Sequence, residues 1–303
     1  SQQGAGTELP YAPVAQTAMP AAPAVPQYAA YVPAPAPAQA PMNYDNAMPF
    51  DDMPPPAAGT RYRDRFALGL ELFHDNYQEP QTFPDLDNNA YYGSIEGQYE
   101  HDFTKSLFGG LEGRVSYGQN DYKSSQGKID GVPQWEFEAR MLGGYQFTTG
   151  RDQRLKLYTG LGTRYYVDQA KGEFTTGGAA GYDRRIFQLY APIGATYEFP
   201  AWGWNFAPNL EFDPLLYGHV ESRLGNVPGY QNFGNRQEAG SGHGIRGEFM
   251  MGKNRPDGTG WQFGPFFRYW DVDDSELDRN ASGTALEPAN ERFQGGVKVR
   301  GKF

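Results

Sequence analysis

The 303-residue chain has no cysteine and only four histidines, and no lysine or arginine precedes Arg61. The missing cysteine excludes a disulfide framework, a thiolate zinc site, a cysteine nucleophile and a lipid-acceptor thiol. No run of about 18 apolar residues occurs, so no helix of this sequence is suited to cross a bilayer. A formal net charge of −10 argues against a nucleic-acid partner, because phosphate binding asks for a basic face. Glycine and aromatics are abundant instead. The 39 Gly, 20 Phe, 21 Tyr and 5 Trp exceed ordinary globular usage.

The composition divides the chain in two, at 1–60 and 61–303. Of residues 1–60, 29 are Ala or Pro, with PAPAPAQAP from Pro33 to Pro41 and a triple proline at Pro54–Pro56. Such a segment buries too little apolar surface to fold alone and samples extended polyproline II conformations. Most Ala-Pro tracts are spacers. This one carries Tyr11, Tyr28, Tyr31, Tyr44 and Phe50 at intervals, with Met19, Met42, Met48 and Met53 among them. Spaced aromatics on an extended chain suit docking into the groove of another protein. The opening residues SQQGAG are those expected of a mature chain after removal of a leader.

From Arg61 onward the hydrophobic period is two. Phe66, Leu68, Leu70 and Leu72 alternate with Arg65, Ala67, Gly69 and Glu71. Tyr91, Ile95 and Tyr99 alternate with Tyr92, Ser94, Glu96 and Glu100. The same pattern recurs through 107–117, 135–147, 154–167, 185–199, 204–221, 239–252, 261–271 and 290–303. Runs of about 10–16 residues are long for soluble strands and right for tilted membrane-spanning ones. Their connections alternate between short (103–105, 148–153, 200–203, 253–260) and long and polar (78–89, 119–133, 168–183, 222–238, 271–289). The pattern predicts an all-β, ten-stranded antiparallel transmembrane β-barrel preceded by an extended Ala/Pro-rich segment. In such barrels short turns face the periplasm and long loops the exterior. An even strand count then puts the tail in the periplasm.

Aromatics cluster near the segment ends. Tyr99, Tyr145, Phe147, Tyr197, Phe199, Trp202, Trp204, Trp261 and Phe303 are expected in a periplasmic girdle, and Tyr91, Tyr117, Trp135, Tyr165, Phe187 and Tyr269 in an outer one. The last ten residues, QGGVKVRGKF, resemble the C-terminal targeting strand of Gram-negative outer-membrane β-barrels. Gln294, Gly296, Val299 and Phe303 match that pattern, whereas Gly301 stands where an aromatic is usual. The resemblance implies residence in the outer membrane, contact with its lipid, and insertion by the barrel assembly machinery.

Parity sends Glu112, Arg114, Glu138, Arg140, Arg164, Glu211, Asp213, Arg246, Glu248 and Arg268 into the lumen. Glu71, Glu96, Glu100, Glu136, Lys156, Glu198, Arg292, Lys298 and Arg300 go with them, beside Tyr158, Tyr166, Tyr190, Tyr217, Phe266 and Trp270. Ten strands make a barrel only slightly wider than one that side chains fill. Buried charges of opposite sign pair, so the expectation is a largely occluded lumen, with a narrow ion or small-solute channel as the alternative.

Chemistry is sparse. Ten strands is also the count of the omptin-type proteases, whose resemblance would call for acidic and Asp–His pairs near the external rim. Asp213, His219 and Glu221 are the nearest match, all inward by parity, with Asp271, Asp273 and Asp274 on an external loop. Ser241 and His243 share a face as in lipid hydrolases, without an assignable carboxylate. His74, His101, His219 and His243 lie on separate elements, so no metal site is expected, and the acidic loops read as solvated. No cofactor or catalytic residue is assigned. The expected role is a structural or interaction barrel whose tail docks onto a periplasmic or envelope-complex partner. A hydrolase is the third reading.

Overall fold

A computed structural model describes residues 64–80, 86–255 and 259–303. The tail residues Tyr11, Tyr28, Tyr31, Tyr44 and Phe50 lie outside the described residues. The strands are β1 (Asp64–Glu79), β2 (Leu86–Asp102), β3 (Leu107–Ser124), β4 (Gly127–Gly150), β5 (Gln153–Asp168), β6 (Arg184–Tyr190) and β7 (Ile193–Ala201). They continue with β8 (Trp204–Ser222), β9 (Phe233–Gln237), β10 (Gly242–Asn254), β11 (Gly260–Val272), β12 (Asp278–Asn280), β13 (Gly283–Ala285) and β14 (Asn290–Lys302).

Each strand pairs antiparallel with its neighbour, and β14 returns to pair with β1, so the sheet closes. Two wall positions are each shared by two strands end to end. β6 and β7 both lie against β5, interrupted by Ala191 and Pro192, because proline has no N–H for the ladder. β9 and β10 both lie against β8, interrupted at residues 238–241. The ring therefore has ten positions. Closure removes the unpaired edges that lipid does not tolerate.

Polarity is inverted relative to a soluble fold. Leu72 is 68% exposed, and its neighbour Glu71 is 1% exposed. Leu68, Leu70, Ile95, Leu111, Met141, Leu161 and Val297 all face outward, and glutamates and arginines line the inside. Such a surface gains by contact with hydrocarbon rather than water. Aromatics mark both edges of the belt. Tyr117 meets Trp135 (centroids 4.8 Å apart) and Phe187 meets Tyr217 (6.3 Å) at the long-loop end. At the other end Trp204 meets Trp261 (5.7 Å) and Phe66 meets Phe303 (6.3 Å).

Three expectations are corrected. The link expected over 119–133 is mostly ladder: β3 and β4 stay paired to Ser124 and Gly127, as a hairpin whose polar residues satisfy each other's backbone beyond the apolar belt. The link over 271–289 contains the β12–β13 hairpin. The third concerns parity on β8. Its register against β6 steps from Leu189↔Tyr217 to Tyr190↔Leu215, leaving Leu216 as an extra residue. A bulge of this kind reverses the faces of every residue beyond it. Leu215 and Val220 are thus buried inside, whereas Tyr217, His219 and Glu221 turn to the outer wall rather than the lumen.

Candidate functional site

The lumen concentrates the chemistry. Alternation puts opposite charges side by side across the ladder: Glu71 beside Lys298, Glu112 beside Arg140, Arg114 beside Glu138, and Glu211 beside Arg246. Opposite charges at such positions attract on one face of a sheet. The side chains then reach further than their neighbours.

In the middle layer Arg114 contacts Glu136 at 2.5 Å and Glu138 at 3.1 Å. Arg246 reaches Glu138 on the far wall at 2.8 Å, and holds Asp213 at 2.8 Å and Glu211 at 2.9 Å. Arg140 bridges Glu112 (2.7 Å) and Glu211. The Tyr190 hydroxyl donates to Glu138 (2.5 Å) and that of Tyr158 to Glu211 (2.6 Å). Lys298 gathers Glu71 (2.9 Å), Glu96 (3.1 Å) and Glu248 (2.5 Å), while Arg268 binds Glu71 at 2.6 Å. A single cation shared by several carboxylates, with hydroxyls on the remaining lone pairs, is the arrangement that offsets desolvation of buried charge.

Further layers lie above and below. Toward the short-turn end Lys156 reaches Glu100 at 2.7 Å and Glu198 at 3.3 Å. Arg65 joins Glu100 and Asp102, the latter at 2.6 Å. Toward the long loops Arg292 binds Asp75 at 2.7 Å and lies 3.9 Å from the centre of the Tyr166 ring. Arg164 is the one residue of the expected network placed apart from its core. It stacks on Trp270 (4.1 Å) and Tyr166 (4.8 Å), with Glu136 at 4.0 Å.

Sequence reasoning missed an outermost layer. Arg184 contacts Glu287 and lies 3.7 Å from Glu79, and it donates to the Tyr77 hydroxyl at 2.9 Å. Tyr77 and Glu79 continue the inward parity of β1 past residue 72, a signal available in the sequence. Glu287 lies on a connection and carries no such signal. Between β5 and β6, burial pushes the Tyr182 phenol above its ordinary value, so it stays neutral.

Several contacts cross the lumen rather than following its wall. Gln294 on β14 donates to Glu136 on β4 at 3.0 Å, and Arg292 to Gln134 at 3.3 Å. Lys156 on β5 meets Glu100 on β2. Two cavities among the lumen side chains, one beside Arg114 and Lys298 and one beside Arg164 and Trp270, measure about 20 Å³ each. Each has room for roughly one water. A larger cavity of about 60 Å³ lies at the external end, lined by residues including Ile129, Val132 and Tyr182.

The candidate catalytic groups are scattered. Asp213 is buried against Arg246, and His219 is on the opposite side of the wall. His74 packs on Tyr91, and His101 pairs with Asp64 at 2.7 Å near the short-turn rim. His243 sits against Phe212, and the Ser241 hydroxyl donates to the Glu238 carbonyl (2.7 Å). Asp271 faces His243 in the strand register, and Asp274 accepts the Ala289 N–H. No group of three potential ligands suited to a metal ion occurs among the described residues. The targeting residues of β14 are placed as follows. Gln294 faces inward, Val299 faces outward, Gly296 has the Phe73 side chain against it, and the Phe303 N–H donates to the Phe66 carbonyl at 2.8 Å.

No family model matches the sequence, and no curated protein matches it. Solved structures do. The outer membrane protease OmpT from Escherichia coli aligns over 79% of this chain and 96% of its own, with a TM-score of 0.51 and 10% identity. The translocator domain of autotransporter NalP from Neisseria meningitidis aligns over 81% and 90%, with a TM-score of 0.42 and 9% identity. The toluene transporter TodX from Pseudomonas putida aligns over 79% and 89%, with a TM-score of 0.30 and 8% identity. Identities this low speak to fold alone. By its closed ring, its inverted polarity and its likeness to the first of these structures, the chain has the fold of an outer-membrane-type β-barrel.

Proposed function

We propose that this is a non-conducting outer-membrane barrel that serves as an anchor and presents residues 1–60 to a periplasmic or envelope-complex partner. The polar contacts that cross the lumen carry this reading. Arg246 to Glu138 and Gln294 to Glu136 tie opposite walls together in the middle of the barrel. A narrow channel, the alternative, would need a continuous path between those groups.

Two features support a periplasmic placement of the tail. The chain enters β1 at Asp64, at the end where β2 joins β3 and β4 joins β5 through short turns. Short turns face the periplasm in this class of barrel. The tail then offers Tyr11, Tyr28, Tyr31, Tyr44 and Phe50 as spaced aromatic anchors. Hydrolysis is the weaker reading, because Asp213 and His219 lie on opposite sides of the wall and Ser241 spends its hydroxyl on a backbone carbonyl.

The test is a crosslinking pull-down from native outer membranes, with the full chain beside a variant lacking residues 1–60. A partner captured by the full chain and lost with the tail is the expected result. An identical partner set from both would reduce the tail to a spacer and end the docking proposal.

A further inference from the structure

The outer wall of the barrel is not electrically uniform at its external edge. The outer girdle runs through Tyr117, Trp135, Tyr165, Phe187 and Tyr217, and the outward positions just beyond it are where lipid headgroups meet protein. On most strands these positions are neutral or acidic: Asn89, Gln119, Pro133, Val167, Asp271 and Glu291. The sector formed by β6, β8 and β9 differs.

There the bulge at Leu216 turns His219 and Glu221 outward, and the register sets Phe187 beside His219, His219 beside Arg236, and Arg185 beside Glu221. Arg185 lies two residues beyond Phe187, about 7 Å along an extended strand. Glu221 is 3.8 Å from Arg185 and 3.3 Å from Arg223, so it draws the two guanidiniums toward one point. Arg236 is exposed and lies 5.7 Å from the centre of the Tyr217 ring. Three arginines thus stand against two carboxylates, Glu221 and Asp278, immediately above an aromatic shelf. The other edge of β9 is covered by the 276–285 segment: the Arg236 carbonyl accepts the Glu276 N–H and the Asp278 carboxylate accepts the Gly234 N–H, both at 2.8 Å. The Arg185 and Arg223 side chains remain about one-third exposed (38% and 33%), so their remaining N–H groups are open to a ligand.

We infer that Arg185, Arg223 and Arg236 form a binding site for the phosphate-bearing headgroup of an outer-leaflet lipid. Guanidinium forks match phosphate oxygens in geometry and charge. The Phe187 and Tyr217 rings lie where the acyl chains and sugar of such a lipid begin. The bulge is the structural cause: without the extra residue, β8 would point His219 and Glu221 into the lumen and leave Arg185 without its partner. The site rests on the outer-membrane placement of the barrel and adds a specific lipid to it.

The test uses the full chain purified in detergent and titrated with bisphosphorylated lipid A, with bound lipid counted by native mass spectrometry. Wild type is expected to retain one lipid saturably. Arg185→Gln/Arg236→Gln should weaken retention about tenfold or more, since two of the three guanidiniums that would fork the phosphate are lost. Lys123→Gln/Lys128→Gln, at the exposed tip of the β3–β4 hairpin, should leave it unchanged. Equal loss in both variants would reduce the effect to bulk charge, and equal retention in both would remove the arginines from the site. Either outcome overturns the assignment. Inorganic phosphate should not compete at concentrations comparable to the lipid; full competition would make the site one for a soluble anion. Heat-modifiable migration and recovery from the outer-membrane fraction are read on every sample. Failure of the membrane placement is thereby separated from failure of the site.

Discussion

At the scale of single residues, the barrel is held by two kinds of inward contact. The first is the shared ion. Glu71 is almost wholly buried between Arg268 at 2.6 Å and Lys298 at 2.9 Å. Removing one member of a buried ionic cluster strands the others, which costs about 3–5 kcal/mol. Glu71→Ala should lower stability by that order in urea unfolding from lipid vesicles, and an unchanged midpoint would show that the cluster is hydrated. The second contact sets a large ring flat over a glycine on the next strand. Tyr190 lies over Gly162, Tyr158 over Gly194 and Trp270 over Gly244, where a Cβ would come within 2.3, 2.4 and 2.6 Å of ring atoms. Gly162→Ala should push Tyr190 off its Glu138 hydrogen bond and cost about 1–3 kcal/mol. Outward-facing Gly143, with nothing within 4 Å of its would-be Cβ, should accept alanine without loss. Equal effects at the two positions in the same unfolding assay would refute the packing account. Parity alone made the inward charges legible. It did not reveal which cation serves which carboxylate, because partners such as Arg246 and Glu138 are 108 residues apart in sequence.

At the scale of elements, alternation marked the ten wall positions because lipid outside and ions inside force a strict period of two. Two features were hidden. The bulge at Leu216 leaves no compositional trace, since LLYGHV reads as continuous alternation from either frame, and so His219 and Glu221 were assigned to the wrong side. The polar hairpin beyond the belt was hidden for the opposite reason: in water both faces of β3 and β4 are polar, and the periodic signal fades while the ladder continues. The closing strand carries its own prediction. The Phe303 N–H donates to the Phe66 carbonyl, and its ring meets that of Phe66 at the seam between β14 and β1. Phe303→Ala should reduce the folded fraction in outer membranes, read as loss of the heat-modifiable band. A folded fraction equal to wild type would separate this terminus from targeting.

At the scale of the whole molecule, the lumen is crossed by ion pairs and lined with aromatic rings among the described residues, and the proposed reading is that it does not conduct and leaves function to the exterior and to residues 1–60. In the proposed reading the outer-wall arginines bind lipid and the tail binds a periplasmic partner. Single-channel recording of the purified full chain in a planar bilayer tests the central claim most directly. The account predicts that inserted protein stays electrically silent. Stable conductance steps, with ion selectivity that changes on Arg114→Gln, would contradict it and make the lumen a pore.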